Sequence, residues 1–327
     1  MKAIVVREPG GPEVLEWRDA PEPQLQPNEL LVRVRASAVN RADMLQRRGA
    51  YPPPPGASPI LGLEMAGEVL EVGAACGAQW QPGQRVMALL AGGGYAEKVA
   101  VPAVHAIPIP ENLSFEEAAA IPEAFLTAYL NLFGLGELKS GQTVLVHAGG
   151  SGVGTAAIQL AREAGAAVFV TAGSADKLER CRQLGATGLI NYKQVNFAEK
   201  VKELTAGHGV DLILDFIGAD YFKDNLASLA LYGRLVLIGQ MGGTKTELDL
   251  SLIMRRRLHI TGTTLRARSL EEKAELTGQL AGFALQRFAD GRLHPVIDTV
   301  FPISQAAEAH RYMESNQNFG KIVLKVD

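Results

Sequence analysis

The chain is poor in cysteine. Cys76 and Cys181 are the only two, too few for a disulfide framework and far enough apart to read as free thiols in a reducing compartment. Two cysteines also exclude a four-cysteine structural zinc site. No apolar run reaches the roughly 18 residues a membrane-spanning helix needs. The opening MKAIVVREPGG meets Arg7 and Glu8 before it could form the apolar core of a signal segment, so a cytoplasmic protein is expected, with an organelle matrix as the alternative. A large excess of charge is missing as well. A net charge of −3 and a pI near 6.1 argue against nucleic acid or an anionic membrane as the main partner. The triplet Arg255-Arg256-Arg257 is short and isolated, and reads as a solvated helix face or end, with part of an anion-facing surface as the alternative.

With 327 residues the chain exceeds the roughly 250–300 at which a single core stops growing, so two domains are expected. The first hundred or so residues have the texture of strand and loop. LLVRVRASAV (30–39) alternates, EMAGEVLEVG (64–73) and QRVMALL (84–90) contain strands, and proline- and glycine-rich turns such as Tyr51-Pro52-Pro53-Pro54-Pro55-Gly56 separate them. Near Leu113 the texture changes. Ser114 with Glu117 forms a capping box that opens an alanine-rich helix, Pro122 interrupts it, and helix resumes over 123–133.

From Gln142 strands and helices take strict turns. The pattern predicts strands over 143–148, 167–172, 189–191, 211–217, 234–239 and 259–263, with helices over 152–164, 175–184, 197–205 and 221–229 between them. Such alternation implies crossover connections and a parallel, doubly wound α/β sheet. HPVIDTVFPI and GKIVLKVD then return to β texture. The expected architecture is a nucleotide-binding Rossmann domain (121–289) inserted into a β-rich domain built from 1–120 and 290–327.

The stretch HAGGSGVGTAA (147–157) follows the first strand of the alternating region and opens its first helix, where a dinucleotide loop belongs. Its phase is Gly149-x-Ser151-x-x-Gly154, with serine in place of the second glycine. Unpaired amides at the helix start would receive a pyrophosphate. An NAD site usually ends its second strand with an acid for the ribose 2′-hydroxyl. Here that strand ends Thr171-Ala172-Gly173-Ser174, Lys177 follows, and Tyr192 ends the next strand. A hydroxyl, an ammonium and a phenol suit a 2′-phosphate, so NADPH is expected rather than NADH. Asp176 is the rival observation, but it reads better as a first-turn acid behind Ser174 as helix cap. His147 reads as a buried or hydrogen-bonded strand-end residue, with a functional role as the alternative, and His208 as exposed loop.

The segments GGPEVLE, ASAVNRADMLQRRGAYPPPPG, LGLEMAG, AAAIPEAFLTA, HAGGSGVGTAAIQLA and GKIVLKV resemble the zinc-independent quinone oxidoreductases of the medium-chain dehydrogenase/reductase superfamily. Within them the chain is similar to the p53-inducible quinone oxidoreductase group. The resemblance runs essentially end to end. It implies a GroES-like catalytic domain around the Rossmann domain, with NADPH between the two. Zinc-dependent members carry a catalytic cysteine and a Gly-His-Glu motif, and the matching positions here are Asn40 and Gly62-Leu63-Glu64, so no catalytic metal is expected. Glu64 would then be structural. The resemblance also implies that Ser151, Gly152, Val153 and Gly154 meet the pyrophosphate, and that Ser174, Lys177 and Tyr192 meet the 2′-phosphate beside Gly173. Thr127, Ile217, Ile238, Met241, Thr264, Leu265 and Arg266 would line the nicotinamide and ribose, with Lys321 a further cofactor contact.

Hydride transfer to a quinone needs a positioned donor and stabilisation of the oxyanion that develops at the acceptor. The Asn40 amide and the Tyr51 hydroxyl are the candidate donors. Two alternatives stand beside quinone reduction: NADPH-dependent reduction of activated alkenes (enals, enones or enoyl thioesters), and a non-catalytic NADPH-binding role. Members of the family commonly dimerise along a sheet edge of the nucleotide domain, which makes the strand at 259–263 the expected seam of a homodimer.

Overall fold

Residues 29–38 show why the first unit is a sheet. In ELLVRVRASA the buried Leu30, Val32 and Val34 alternate with the exposed Arg33 and half-buried Arg35, the period of a half-covered strand. The computed structural model describes residues 1–327 and divides the chain into Met1–Leu126 with Leu265–Asp327, and Thr127–Thr264. In the first unit the sheet order is Ile297–Pro302, Lys321–Lys325, Glu29–Ala38, Glu64–Val72, Arg85–Leu89 and Ala106–Pro108, with Lys98–Pro102 also paired to Glu29–Ala38. The expected joining of both termini is present: Lys321–Lys325 runs antiparallel to Glu29–Ala38, with Val323 opposite Ala38. Leu30, Val32, Met65, Val86, Tyr95 and Ile322 meet in the core of this unit.

Thr127–Thr264 holds a six-stranded parallel sheet in the order Gly188–Asn191, Ala167–Ala172, Thr143–Val146, Val210–Asp215, Leu229–Leu237, His259–Gly262. Numbered by appearance this is 3-2-1-4-5-6, the doubly wound order whose switch point lies beside the first strand. The helix after that strand, Gly152–Glu163, buries the small face of Ala156, Ala157 and Ala161, which lets it lie close to the sheet. The strand at 167–172 and the helix at 175–184 have the bounds read from the sequence. The helix at Pro122 runs to Tyr129 and continues as a π-helical turn over Leu130–Leu135.

The inserted segment ends before the long helix Leu270–Ala289 rather than after it at 289. That helix packs within the terminal unit. Phe288 stands edge-on to Phe125 with ring centroids 5.0 Å apart, and Asn112 Nδ2 donates to Phe288 O at 3.1 Å. Periodicity alone cannot say which sheet an amphipathic helix covers. No helix is long and apolar enough to cross a membrane.

Gly67 is where the sheet tolerates no side chain: a Cβ there would lie 2.0 Å from Arg33 O on the paired strand. Gly67→Ala should part the two strands and cost about 3 kcal/mol, as overpacking against backbone does. Urea denaturation followed by circular dichroism would register this, and an unchanged midpoint would refute it.

Candidate active site

The glycine loop of the inserted unit begins beyond Val146. His147 is fully buried, Ala148 takes a left-handed φ of +51°, and Gly149 N donates to Thr171 O at 3.0 Å on the neighbouring strand. A Cβ on Gly149 would lie 2.9 Å from Val170 Cβ, and one on Gly154 would lie 2.5 Å from Ala148 O, so both glycines are demanded by close approach. Ser151, where a second glycine would stand, is the N-cap of the helix, and its Oγ accepts from Gly154 N at 3.0 Å. Gly152 and Val153 are first-turn residues whose amides have no intrahelical acceptor. A bare, acid-free helix start with open amides fits a pyrophosphate.

At the end of the second strand the structure brings together the residues expected around a 2′-phosphate. A Cβ on Gly173 would meet Tyr192 Oη at 2.9 Å and Lys193 Cε at 3.1 Å. Ser174 caps the next helix, accepting Lys177 N at 3.3 Å, and Asp176 sits exposed in its first turn. Ser174, the Tyr192 phenol and the Lys193 side chain thus meet at one strand end, with Lys177 in the first turn of the helix that Ser174 caps, residue types that fit a doubly charged phosphate. Sequence reasoning missed Lys193, although its place beside Tyr192 was the available signal.

Two further loops are laced to each other. Asp215 Oδ1 accepts Ile217 N at 2.7 Å, its carbonyl accepts Ile238 N at 2.7 Å, and Met241 N donates to Phe216 O at 3.3 Å. Ile217 and Ile238 are half-buried and Met241 is exposed. Thr127 is buried, with its carbonyl accepting Asn131 Nδ2 at 2.7 Å. Thr264 is exposed at the end of this unit, whereas Leu265 and Arg266 are buried in the other.

In the terminal unit the fully buried Glu64 carboxylate organises a cluster. Its Oε1 accepts Asn40 Nδ2 at 2.8 Å and Lys321 Nζ at 2.6 Å, and its Oε2 accepts Glu123 N at 2.8 Å. Lys321 Nζ also donates to Asn40 Oδ1 at 2.7 Å and Val39 O at 3.4 Å. Glu64 thus bonds to two side chains as well as to backbone. Asn40 departs from expectation. Its amide nitrogen donates to Ala38 O at 3.2 Å as well as to Glu64, which turns both N–H groups inward. A buried carboxylate takes the nearest donors because leaving it unpaired would cost several kcal/mol. Lys321 departs in the same way, with its three N–H groups spent on Glu64, Asn40 and Val39.

Arg266 likewise faces its own unit. Nε donates to Ala91 O at 2.8 Å, one terminal nitrogen to Gln46 Oε1 at 2.7 Å and the other to Tyr51 O at 3.3 Å. Its guanidinium also lies 5.4 Å from the Tyr51 ring centroid. Arg266 thus anchors the proline-rich loop and holds Tyr51. The half-buried Tyr51 hydroxyl has no hydrogen bond within the chain, and burial raises its pKa against the opposing pull of Arg266, so it stays a phenol and a donor at neutral pH. Beneath the cluster, Asp43 accepts Asn40 N at 2.8 Å, Gly62 N at 3.1 Å and Tyr95 Oη at 3.3 Å. Burial pushes its carboxyl up to about 6.

Glu123 was not singled out from the sequence, though a lone acid in the apolar run AAAIPEAFL was a usable signal. Its carboxyl makes no hydrogen bond within the chain. Burial and then the Glu64 charge push it up to about 8, against Lys321 and Arg266, so at neutral pH it holds a proton. No group of three or more histidine, cysteine, aspartate or glutamate side chains is arranged to hold a metal ion.

Strand order and the glycine loop at the switch point define a doubly wound fold of the dinucleotide-binding class. The chain matches the alcohol dehydrogenase GroES-like domain family over residues 26–111 and the zinc-binding dehydrogenase family over 152–279. It is 33% identical to a quinone oxidoreductase of Rattus norvegicus, over 99% of this chain and 97% of that one. Among solved structures, Escherichia coli quinone oxidoreductase complexed with NADPH is similar with a TM-score of 0.90 and 30% identity, over 99% of this chain and 100% of that one. An NAD-dependent alcohol dehydrogenase is similar with a TM-score of 0.88 and 36% identity, over 100% of both chains. The CurK enoyl reductase has a TM-score of 0.88 and 30% identity, over 100% of this chain and 99% of that one. The chain belongs to the medium-chain dehydrogenase/reductase superfamily of oxidoreductases, among its quinone oxidoreductase-like members.

The Glu123 proton has a consequence for stability. The unfolded chain releases it near the ordinary 4.5 and the folded chain near 8, so between those values the folded state binds more protons and stability falls as pH rises. Glu123→Gln removes that slope. Its thermal midpoint should gain on the wild type as pH rises from about 5 to about 8 and hold a constant lead above. Parallel curves across that range in differential scanning fluorimetry would refute the assignment.

Proposed function

We propose that the protein is an NADPH-dependent quinone reductase that works without a metal. The observation that carries this is the second strand end, where Gly173, Ser174, Lys177, Tyr192 and Lys193 gather and no acid stands on the strand. That donor set would hold a 2′-phosphate and would give the 2′-hydroxyl of NADH no carboxylate acceptor. Ser151, Gly152, Val153 and Gly154 would hold the pyrophosphate. Thr127, Ile217, Ile238, Met241, Thr264 and Leu265 would bound the nicotinamide and its ribose. Bound NADPH would supply the hydride.

The chain's own contribution is orientation and a field for developing charge. Of the two expected donors, Tyr51 is the one with a free hydroxyl, so it is assigned to the acceptor oxygen. Arg266 fixes its loop through Tyr51 O and its ring through the stacked guanidinium. Asn40 and Lys321 are assigned to the Glu64 cluster rather than to the acceptor or the cofactor.

Glu123 favours a second reading. Reduction of an activated alkene leaves an enolate that must take a proton at carbon, and a held carboxyl proton has a use there that it lacks for a hydroquinone, which can be protonated by water. The likeness to an enoyl reductase agrees with this. Plate assays of NADPH and NADH oxidation with 1,2-naphthoquinone and with a trans-2-alkenal separate the readings. Fast, NADPH-selective turnover of the quinone is expected, and Lys177→Ala should cut that selectivity about tenfold or more, the worth of a charge-assisted hydrogen bond. NADPH binding without quinone turnover would overturn the first reading, and turnover of the alkenal would then support the second.

The proposed assembly is a homodimer seamed along His259–Gly262. This strand closes one edge of the parallel sheet, and an unpaired edge is an aggregation hazard unless covered. Sedimentation should give about twice the 34.9 kDa chain mass, and a monodisperse monomer at micromolar concentration would refute the pairing.

A further inference from the structure

We infer that a directed chain of buried hydrogen bonds, Thr171–His147–Asn225–Asp215, sets the three cofactor-facing strand ends of the parallel sheet as one unit, and that NADPH affinity depends on it. The inference rests on the proposed cofactor reading and extends it to residues outside the expected contacts. Thr171 is the next-to-last residue of Ala167–Ala172, just before Gly173 and Ser174. His147 follows Thr143–Val146 and opens the glycine loop. Asp215 ends Val210–Asp215, and Asn225 lies on the helix Ala219–Ser228 that follows it.

The distances run without a gap. His147 Nδ1 lies 3.0 Å from Thr171 Oγ1 and Nε2 lies 2.7 Å from Asn225 Oδ1. Asn225 Nδ2 donates to Asp215 Oδ2 at 3.1 Å. Asp215 in turn receives Ile217 N at 2.7 Å and Gly218 N at 3.2 and 3.1 Å, bracketing the loop assigned to the nicotinamide. That bracket has one geometry, because Gly218 has a φ of +83° and a Cβ there would lie 2.8 Å from Gly243 O.

Chemistry fixes the polarity. An ionised carboxylate only accepts, so Asn225 faces Asp215 with its amide nitrogen and His147 with its oxygen. That oxygen needs a donor, which puts the imidazole proton on Nε2 and leaves Nδ1 to accept from the Thr171 hydroxyl. Burial lowers the imidazole to about 4, so the ring is neutral, as this pattern requires. The ring is also held between Phe197 and Tyr221, centroids 4.8 and 4.9 Å away, and Tyr221 packs in turn on Tyr192 at 6.4 Å.

Four buried polar side chains in the end of an apolar sheet are not the cheapest way to fill that space, since a well-packed apolar set is often as stable or more so. What they add is register. Losing the Thr171 hydroxyl leaves the buried Nδ1 acceptor without a donor, and the ring can relieve that only by shifting away from the position in which its Nε2 proton meets Asn225 Oδ1. Damage at the strand end assigned to the 2′-phosphate thus reaches the loop assigned to the nicotinamide.

The test is the equilibrium affinity for NADPH, measured by calorimetry or nucleotide fluorescence, together with far-UV circular dichroism. Thr171→Val and Asn225→Leu should each weaken binding about tenfold. The double variant should be no more than about threefold worse than the weaker-binding single variant, because members of one unit do not add. His147→Leu should match the singles, whereas His147→Gln, which can accept from Thr171 and donate to Asn225, should stay within about threefold of wild type. If Asn225→Leu does not fold, Thr171→Val and the two His147 variants decide. Folded variants that bind NADPH within twofold of wild type, or losses that multiply, overturn the inference and leave the cofactor reading intact. A wild-type protein that binds no NADPH overturns both.

Discussion

The Glu64 carboxylate is the charge on which the terminal unit is organised. A fully buried carboxylate is tolerated only when its oxygens are met, and those of Glu64 are met by Asn40, Lys321 and the backbone of Glu123. These partners come from the loop after a central strand, from the last strand of the chain, and from the helix leaving the unit. One charge therefore ties together segments that the inserted domain separates in sequence. Satisfying it consumes the Asn40 amide and the Lys321 ammonium, and it raises the proton affinity of Glu123 close by. The held proton of Glu123 is thus a property of the cluster as much as of its own residue.

The inserted unit shows the same economy in its glycine loop. Serine replaces the second glycine without spoiling the turn, because the position requires a helix cap and Ser151 provides one to Gly154. The outer glycines are different in kind. At Gly149 and Gly154 a methyl group would meet a neighbouring side chain or a carbonyl, so only glycine lets the helix approach the strand. The one departure from the glycine spacing therefore has a local compensation.

Similarity to enzymes named for NADPH, NAD and enoyl substrates makes the superfamily plain without choosing the chemistry. The choice falls to a few side chains. A second strand ending in small residues, with a phenol and lysines beside it, speaks to the cofactor. A tyrosine held under an arginine and an uncommitted carboxylic acid speak to the acceptor.

Much of the fold was legible in the sequence because its signals are local. Strand and helix at 167–172 and 175–184 have the bounds that period and capping assign them, and the Ser114–Glu117 box closes as read. The gathering around Gly173 was legible for the same reason, since strand ends of a parallel sheet deliver neighbouring residues to one edge. Three matters were decided by tertiary structure alone. The long helix 270–289 packs with the terminal unit, because an apolar stripe does not specify which sheet will cover it. Asn40, Lys321 and Arg266 turn inward, because whether a polar side chain is free depends on which buried groups need it, and Lys321 and Glu64 lie 257 residues apart. The tautomer of His147 is set by Asn225 and its other ring nitrogen is met by Thr171, from two other elements, and no feature of the sequence around a histidine can announce partners that only the folded sheet brings within 3.0 Å.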